Sequence, residues 1–522
     1  MKILPKNWSL FNIISIILCI SAFIFFYLSF DSQIDRILSW DEVHYQQAIK
    51  QGIAENALET TSATLSQFLE YSYAKFVRDS ILLQKVIQDM PNEQEDVFLL
   101  RHFHPVLPIY VWILCEQLSS KNWIVLSNYL LISLLVFLLY LYLKAYPAFY
   151  FFVGLSVLFI SPFFQDTFQT ANFHSFFSIS CLFFFFQMQK FAPNQQKLPR
   201  QILLSLAIAL MVLTLETYLL VFLSIGMFYF FLLSPHLPKV QDREQIKRGI
   251  TFIIKIVSLS LLWVFLLNPS FFYTGGSLKS WAYYAYRIFF AGNEEYQSVS
   301  VLTTIKDFFL GHTSLTILVL TSLFVFIKSY QRIEKQTLLI LFCGFTYLLF
   351  MLPFALYHTY LMPAVVLILL SSLLIVKDLH NSFVIKLILV CSIFVEITYR
   401  FATTSFEQIR TKCQAEKKEI QKIIQLAQQT QLPILADANH VFNYYAQSSQ
   451  FKKLRTMSES RPEFYERIHY KNLNRNKDIQ NQVFGAIIFL KTRNYTIEDF
   501  EFLTRAGYEK ITTENYYLFM RK

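Results

Sequence analysis

The sequence predicts a polytopic α-helical membrane protein with about eleven transmembrane helices, followed by a small C-terminal α/β domain. Of the 522 residues, 54% are hydrophobic and only 16% are charged, whereas soluble domains carry about 25% charged residues. The mean hydropathy of +0.40 supports the same class. The net charge of +10 is therefore interpreted as topology information. The arginine and aromatic pattern of a nucleic-acid groove is missing from the sequence.

Eleven apolar runs predict the helices, because a membrane span needs about 20 mostly apolar residues. The runs lie at 9–30, 123–143, 147–163, 172–191, 202–216, 218–234, 249–268, 312–328, 337–352, 360–376 and 383–399. The continuous segment 202–234 is too long for one helix, so it is predicted to be a tight hairpin with Glu216 at its turn. The first run has no small-residue cleavage site, and we expect it to be retained.

The short run His104–Leu118 decides the topology. If it lies along the outer interface or re-enters, the connections rich in lysine and arginine all fall on the N-terminal side of the membrane. The positive-inside rule favours this choice and places the N-terminus in the cytoplasm. The outer face then carries 31–122, 162–171, the Glu216 turn, 269–311, 353–359 and the C-terminal tail.

Two domains are predicted, a transmembrane domain at 1–400 with its first outer loop at 31–122, and an outer domain at 401–522. The tail is polar, and strand and helix signals alternate along it, which indicates an α/β domain. A charged helix is predicted at 403–431, a helix at 496–506, and strands at 433–436, 483–490 and 516–520. The six cysteines have no CxxC spacing, so they indicate neither a disulfide framework nor a zinc site.

The most informative stretch follows the first apolar run and contains Asp41, Glu42, His44 and Tyr45. A carboxylate at the membrane edge can accept a proton from an incoming hydroxyl or amine. The alternative is a polar cap just outside a span, with Asp41 as the capping residue.

The far end of the same loop contains His102 and His104, before Pro105. These imidazoles could bind substrate, and with Asp41 they could bind a divalent metal ion, the one cofactor considered. The alternative is an ordinary start of an interfacial helix with proline in its first turn.

Two more groups contain isolated polar residues at predicted outer turns. Asp166 and His174 flank one turn, and Glu216 is the one acid in an apolar hairpin. Either acid is a functional carboxylate or a solvated turn residue.

The remaining candidates are cationic or aromatic. Lys279 and Arg287 are about two helical turns apart in the loop 269–311, so they could hold a phosphate from one face. His358 and Tyr360 lie at the last outer turn. The alternative for both groups is an interfacial belt of aromatic residues.

These motifs resemble the membrane-embedded GT-C glycosyltransferases, most closely the branch of protein O-mannosyltransferases and aminoarabinose (lipid A) transferases. Asp41-Glu42 resembles the first-loop acidic motif of that branch, and His104-Pro105-Val106-Leu107-Pro108 resembles its His/Lys-Pro-Pro-Leu step. The stretch 357–363 resembles its late Arg-Tyr-x-x-x-Pro element, although the arginine is replaced here. The family often places a second acid early in the helix after the Ser-Pro turn. This chain has Asn172 and His174 there, with Asp166 upstream.

The resemblance implies a GT-C fold and a sugar donor linked to polyprenyl or dolichyl phosphate. The sugar would move to a lipid, glycan or protein acceptor at the outer face of an inner (cytoplasmic) membrane, with inversion and with Asp41 as general base. Glu42, Asp166 and Glu216 are the other catalytic candidates, and Lys279 or Arg287 would neutralise the departing lipid phosphate. His44, Tyr45, His102, His104, His174, His358 and Tyr360 are the candidate substrate-binding residues.

Two other functions stay open. A transporter or flippase for lipid-linked saccharides would more often place ionisable groups near the middle of the membrane. A polysaccharide polymerase or ligase would use lipid-diphosphate sugars and would be expected to have arginine-rich outer loops.

Overall fold

A computed structural model describes most of the chain. The described residues are 10–58, 64–77, 79, 81–82, 85–86, 106–120, 122–189, 198–233, 243–273, 278, 301–352, 358–377, 382–437, 439–453, 481, 483–491 and 497–521. They form two compact units. The first contains Met1–Phe30, Ile49–Tyr73 and Lys85–Thr404, and the second contains Asp31–Ala48, Ala74–Gln84 and Ser405–Lys522.

The first unit is helical, and each of the eleven predicted runs is occupied by a helix. The helices are α1 (Leu10–Ser32), α2 (Trp40–Leu58, shared with the second unit), α3 (Leu65–Val77, also shared with the second unit), α4 (Leu107–Leu118), α5 (Trp123–Leu143), α6 (Ala148–Ile160), α7 (Pro162–Phe168), α8 (Phe173–Gln189), α9 (Leu198–Val212), α10 (Tyr218–Met227, continued as a π-helix over Phe228–Leu233), α11 (Arg243–Leu267), α12 (Ser270–Tyr273), α13 (Val301–Leu310), α14 (Thr313–Ser329), α15 (Lys335–Met351), α16 (Met362–Val376) and α17 (Phe383–Thr403).

Length and composition identify four single helices among the described residues that could cross a membrane. They are Leu10–Ser32, Trp123–Leu143, Gly249–Leu267 and His358–Val376. Two bent pairs raise that number to six, if each pair is one span. Helices α4, α9, α10 and α15 are shorter and apolar, so the predicted number of eleven spans stays a prediction. At 12 residues, α4 is too short to cross a membrane alone.

Two predicted outer segments turn out to be helical. The stretch 162–168 is helix α7 rather than an open turn, because the Ser161 hydroxyl accepts a hydrogen bond from Phe164 N–H and Pro162 occupies the first helical position. This helix is bent by 70° from α6. The second segment is helix α13, which lies inside the predicted outer loop 269–311. It is bent by 86° from α14 at Gly311–His312.

The second unit contains a five-stranded sheet with the strand order β2-β1-β3-β5-β4. Its elements after α17 are α18 (Phe406–Ala427), β1 (Ile434–Ala436), α19 (Asn439–Ala446), β2 (Phe451–Lys453), β3 (Ala486–Leu490), α20 (Ile497–Arg505), β4 (Tyr508–Thr512) and β5 (Tyr516–Arg521). Strand β1 pairs in parallel with β2 and β3, while β5 pairs antiparallel with β3 and β4. The predicted α18, β1, β3, α20 and β5 are confirmed, and α19, β2 and β4 were not predicted.

Alternating side chains build a core on each face of this sheet. Ile434 and Ile488 belong to one cluster with α18, whereas Leu435 and Ile487 belong to the other. The first cluster also contains Val43, from the segment that follows α1. The second unit is therefore not made from the C-terminal tail alone.

Candidate active site

Asp41 lies in the first turn of α2, within the second unit, and its side chain is exposed. The capping role considered for Asp41 belongs to Ser39 instead. Ser39 Oγ accepts a hydrogen bond from Glu42 N–H at 3.3 Å, and Ser39 N–H donates to Glu42 Oε2 at 2.8 Å. This reciprocal arrangement is a capping box. Asp41 therefore adds negative charge to the first turn without capping the helix.

Glu42 differs from its neighbour, since only 1% of its surface is exposed. Arg36 Nη1 donates to Glu42 Oε2 at 2.5 Å, and Arg36 Nη2 donates to Oε1. Burial opposes the charged form of Arg36, but the hydrogen bonds and charge of Glu42 outweigh it and raise the pKa of the guanidinium. The two adjacent acids thus have different environments, one exposed and one in a buried ion pair.

Two predicted groups of the first unit come together, the Asp166 turn and the last outer turn. His358 Nδ1 lies 2.8 Å from Asp166 Oδ2, and the two side chains are 43% and 49% exposed. The ring of His174 packs edge-on against Tyr360, with the ring centroids 4.8 Å apart. Tertiary structure therefore unites four candidates that the sequence separates by almost 200 positions.

Glu216 lies between α9 and α10 and is only 1% exposed, so the alternative of a solvated turn residue is wrong. The neighbouring Thr217 hydroxyl accepts a hydrogen bond from the buried Tyr347 hydroxyl at 3.1 Å. A buried carboxylate in an apolar helical unit is costly and is retained only with a partner or a task.

Sequence reasoning missed a buried cluster at the bend between α13 and α14. His312 is 0% exposed, and its Nδ1 lies 3.4 Å from Glu396 Oε1. Arg400 donates to the same oxygen from Nε and Nη2, and Glu396 Oε2 accepts from Ser314 N–H at 2.7 Å. An acid inside the apolar run 383–399, with arginine four residues later, was the available signal. Phe163 contacts the rings of both His312 and His358, so this cluster adjoins the Asp166–His358 pair.

Several predicted site residues lie outside the described residues, namely His102, His104, Lys279 and Arg287. His44 and Tyr45 are described and half-buried in the second unit. Among the described residues, no group of three or more histidine, cysteine, aspartate or glutamate side chains could hold a metal ion. The predicted metal site of Asp41 and His104 stays a prediction, because His104 is outside that set.

A comparison with solved structures finds ArnT from Cupriavidus metallidurans bound to undecaprenyl phosphate. The TM-score is 0.55 and the identity 10%, over 97% of this chain and 97% of that chain. The apo state of ArnT from the same organism aligns with a TM-score of 0.51 and 10% identity, over 92% of this chain and 97% of that one. No protein-family model and no curated protein matches the chain. The resemblance to the GT-C branch is thus confirmed at the level of the fold, and this chain has the fold of ArnT along almost its whole length.

Proposed function

We propose that this protein transfers a sugar from a polyprenyl-phosphate donor to an acceptor at the outer face of a membrane. The observation that carries the proposal is the end-to-end likeness to an ArnT structure that contains undecaprenyl phosphate. The likeness covers 97% of this chain, which includes both the helical unit and the C-terminal tail. The exposed residue Asp41, after α1, supplies the carboxylate that the reaction needs as a base.

The proposed reaction is a single displacement. The Asp41 carboxylate takes the proton of the acceptor hydroxyl or amine as that oxygen or nitrogen attacks the anomeric carbon. The bond between the anomeric carbon and the phosphate oxygen breaks with its electron pair, so polyprenyl phosphate departs as an anion. The configuration at the anomeric carbon is inverted, because attack and departure occur on opposite faces.

Fixed positive charge near the departing phosphate would lower the barrier. Lys279 or Arg287 has this role in the proposal. Asp166, hydrogen-bonded to His358, is the best placed second acid because its carboxylate is half exposed. The proposal keeps the topology predicted from the basic loops, in which these groups lie on the outer side of a cytoplasmic membrane and the N-terminus lies inside.

The test uses purified protein in detergent with two radiolabelled donors, an undecaprenyl-phosphoryl pentose and an undecaprenyl-phosphoryl hexose. We expect an added lipid, glycan or protein acceptor to become labelled from one donor, with release of one undecaprenyl phosphate per sugar transferred. Movement of the intact donor across liposomes without glycosidic product would instead identify a transporter. Turnover of undecaprenyl-diphosphate sugars alone would identify a polymerase or ligase.

A further inference from the structure

The segment Asp31–Ala48 contains Asp41 and belongs to the same compact unit as the C-terminal sheet. Val43, two residues after Asp41, is 0% exposed and lies in the core cluster with Ile420 of α18 and Leu518 of β5. Ile37 and Leu38 pack against the same cluster. The C-terminal domain therefore uses part of the first loop as an integral element of its own core.

Ion pairs connect the same segment to one face of α18. Asp31 pairs with Arg410, and Asp35 lies 3.7 Å from Lys417 and 3.2 Å from the Gln414 amide nitrogen. Residues 410, 414 and 417 are spaced by four and three, so they share one face of the helix. These exposed pairs are individually weak, but together they fix which face of α18 the segment contacts.

Hydrogen bonds hold the backbone of Ile37 and Leu38, just before Asp41. Leu38 N–H donates to the Tyr445 hydroxyl of α19 at 3.1 Å. Burial raises the pKa of the Tyr445 hydroxyl above its ordinary value. Arg36 donates to Ile37 O at 3.0 Å while it holds Glu42, and Glu42 in turn closes the capping box with Ser39.

We infer that the C-terminal domain orients Asp41, and that Arg36, Glu42 and Tyr445 are positioning residues for it. This inference rests on the proposed function, in which Asp41 is the base. Glu42 then has a positioning role. This role is compatible with its buried ion pair, because both of its carboxylate oxygens already accept hydrogen bonds from Arg36. It also gives the tail a role in the chemical step. A displacement of about 1 Å in a catalytic group can lower the rate by about a hundredfold.

The test compares two conservative variants of the full-length protein. Tyr445→Phe removes only the hydroxyl that accepts from Leu38 N–H. Tyr508→Phe is the matched control, because the Tyr508 hydroxyl donates to Phe484 O at 2.8 Å in the other core of the same unit. Both variants keep the ring and lose one hydrogen bond, so similar melting temperatures are expected.

Hydrogen–deuterium exchange measures the positioning without any turnover. We expect exchange at Leu38–Val43 to become about fivefold faster in Y445F, the effect of one lost hydrogen bond, and to stay unchanged in Y508F. In the transfer assay, kcat should fall about tenfold in Y445F, with the KM for the lipid donor within twofold of the parent. Val43→Ala and Leu503→Ala form a second pair for the same comparison of exchange and kcat, with Leu503→Ala as the control. Both side chains are 0% exposed, and they lie in opposite cores.

Three results would overturn the inference. The first is equal loss of kcat in Y445F and Y508F, which would indicate domain stability alone. The second is a change confined to KM. The third is unchanged exchange at Leu38–Val43 in Y445F. Failure of the proposed function is distinct, because it would show as no sugar transfer by the parent protein, or as normal transfer by Asp41→Asn.

Discussion

His358 Nδ1 and Asp166 Oδ2 lie 2.8 Å apart although the two residues are separated by 192 positions in the chain. The contact joins the short helix α7 to the 3-10 helix His358–Leu361, which directly precedes α16. Both side chains are close to half exposed. An exposed pair of this kind contributes little to folding, about 0–1 kcal/mol. The pair is therefore more informative about chemistry at this surface than about stability.

Asp41→Asn should lower sugar transfer by a factor of about 10²–10⁴, the usual contribution of a general base. The amide keeps the size of the side chain but cannot take a proton, so abundance in the membrane and melting temperature should not change. Transfer is measured with the radiolabelled lipid donor. Glu509→Gln is the control, because Glu509 is an exposed acid on β4 of the same unit. Normal transfer by D41N would exclude Asp41 as the base.

Asp166→Asn should lower kcat/KM by about a hundredfold if Asp166 is the second acid, and His358→Gln should have a smaller effect. The double variant should be no slower than D166N, because His358 acts through the carboxylate it contacts. A double-mutant cycle on kcat/KM should then give a coupling of about 1–2 kcal/mol. Additive effects of the two substitutions would show that the residues act independently.

The sequence predicts the helices of this protein better than it predicts the contacts between distant residues. All eleven apolar runs gave helices, since hydrophobic length is a property of the local sequence. The Ser39-x-x-Glu42 capping box was also readable, yet Asp41 was considered as the cap. By contrast, the burial of Glu216 and the Asp166–His358 contact depend on how distant helices pack. No single segment of the sequence contains that information.

The recruitment of Asp31–Ala48 into the C-terminal domain was missed for a related reason. The predicted domain boundary at 400/401 depends on a change of composition along the chain. Such a change cannot show that an early segment packs against a later domain. Val43 contributes to a core whose other members start at Ile420, so only the fold reveals the association. The bend at Gly311–His312 was equally hidden, because the run 312–328 reads as an ordinary apolar span.

Glu396→Ala should destabilise the first unit by about 3–5 kcal/mol. The substitution leaves Arg400 without its carboxylate partner, and it removes the acceptor of Ser314 N–H at the start of α14. Thermal unfolding in detergent measures the effect. Glu334→Ala is the control, since Glu334 is 63% exposed and lies 3.9 Å from Lys377, and its loss should cost at most about 1 kcal/mol. Equal melting temperatures for the two variants would show that the buried cluster does not stabilise the bend.

Gly344→Ala should destabilise the pairing of α15 with α16. A Cβ atom at Gly344 would lie 2.9 Å from Ile368 Cγ1 and 3.2 Å from the Ile368 backbone nitrogen. The backbone atom cannot move aside without shifting α16, so overpacking should cost about 1–3 kcal/mol. Gly226→Ala is the matched control, because a Cβ at that helical position meets no atom within 4 Å. Alanine has the higher helix propensity, by about 1 kcal/mol, so Gly226→Ala should raise the melting temperature while Gly344→Ala lowers it. A rise in both variants would show that α15 and α16 can separate to accept the added methyl group.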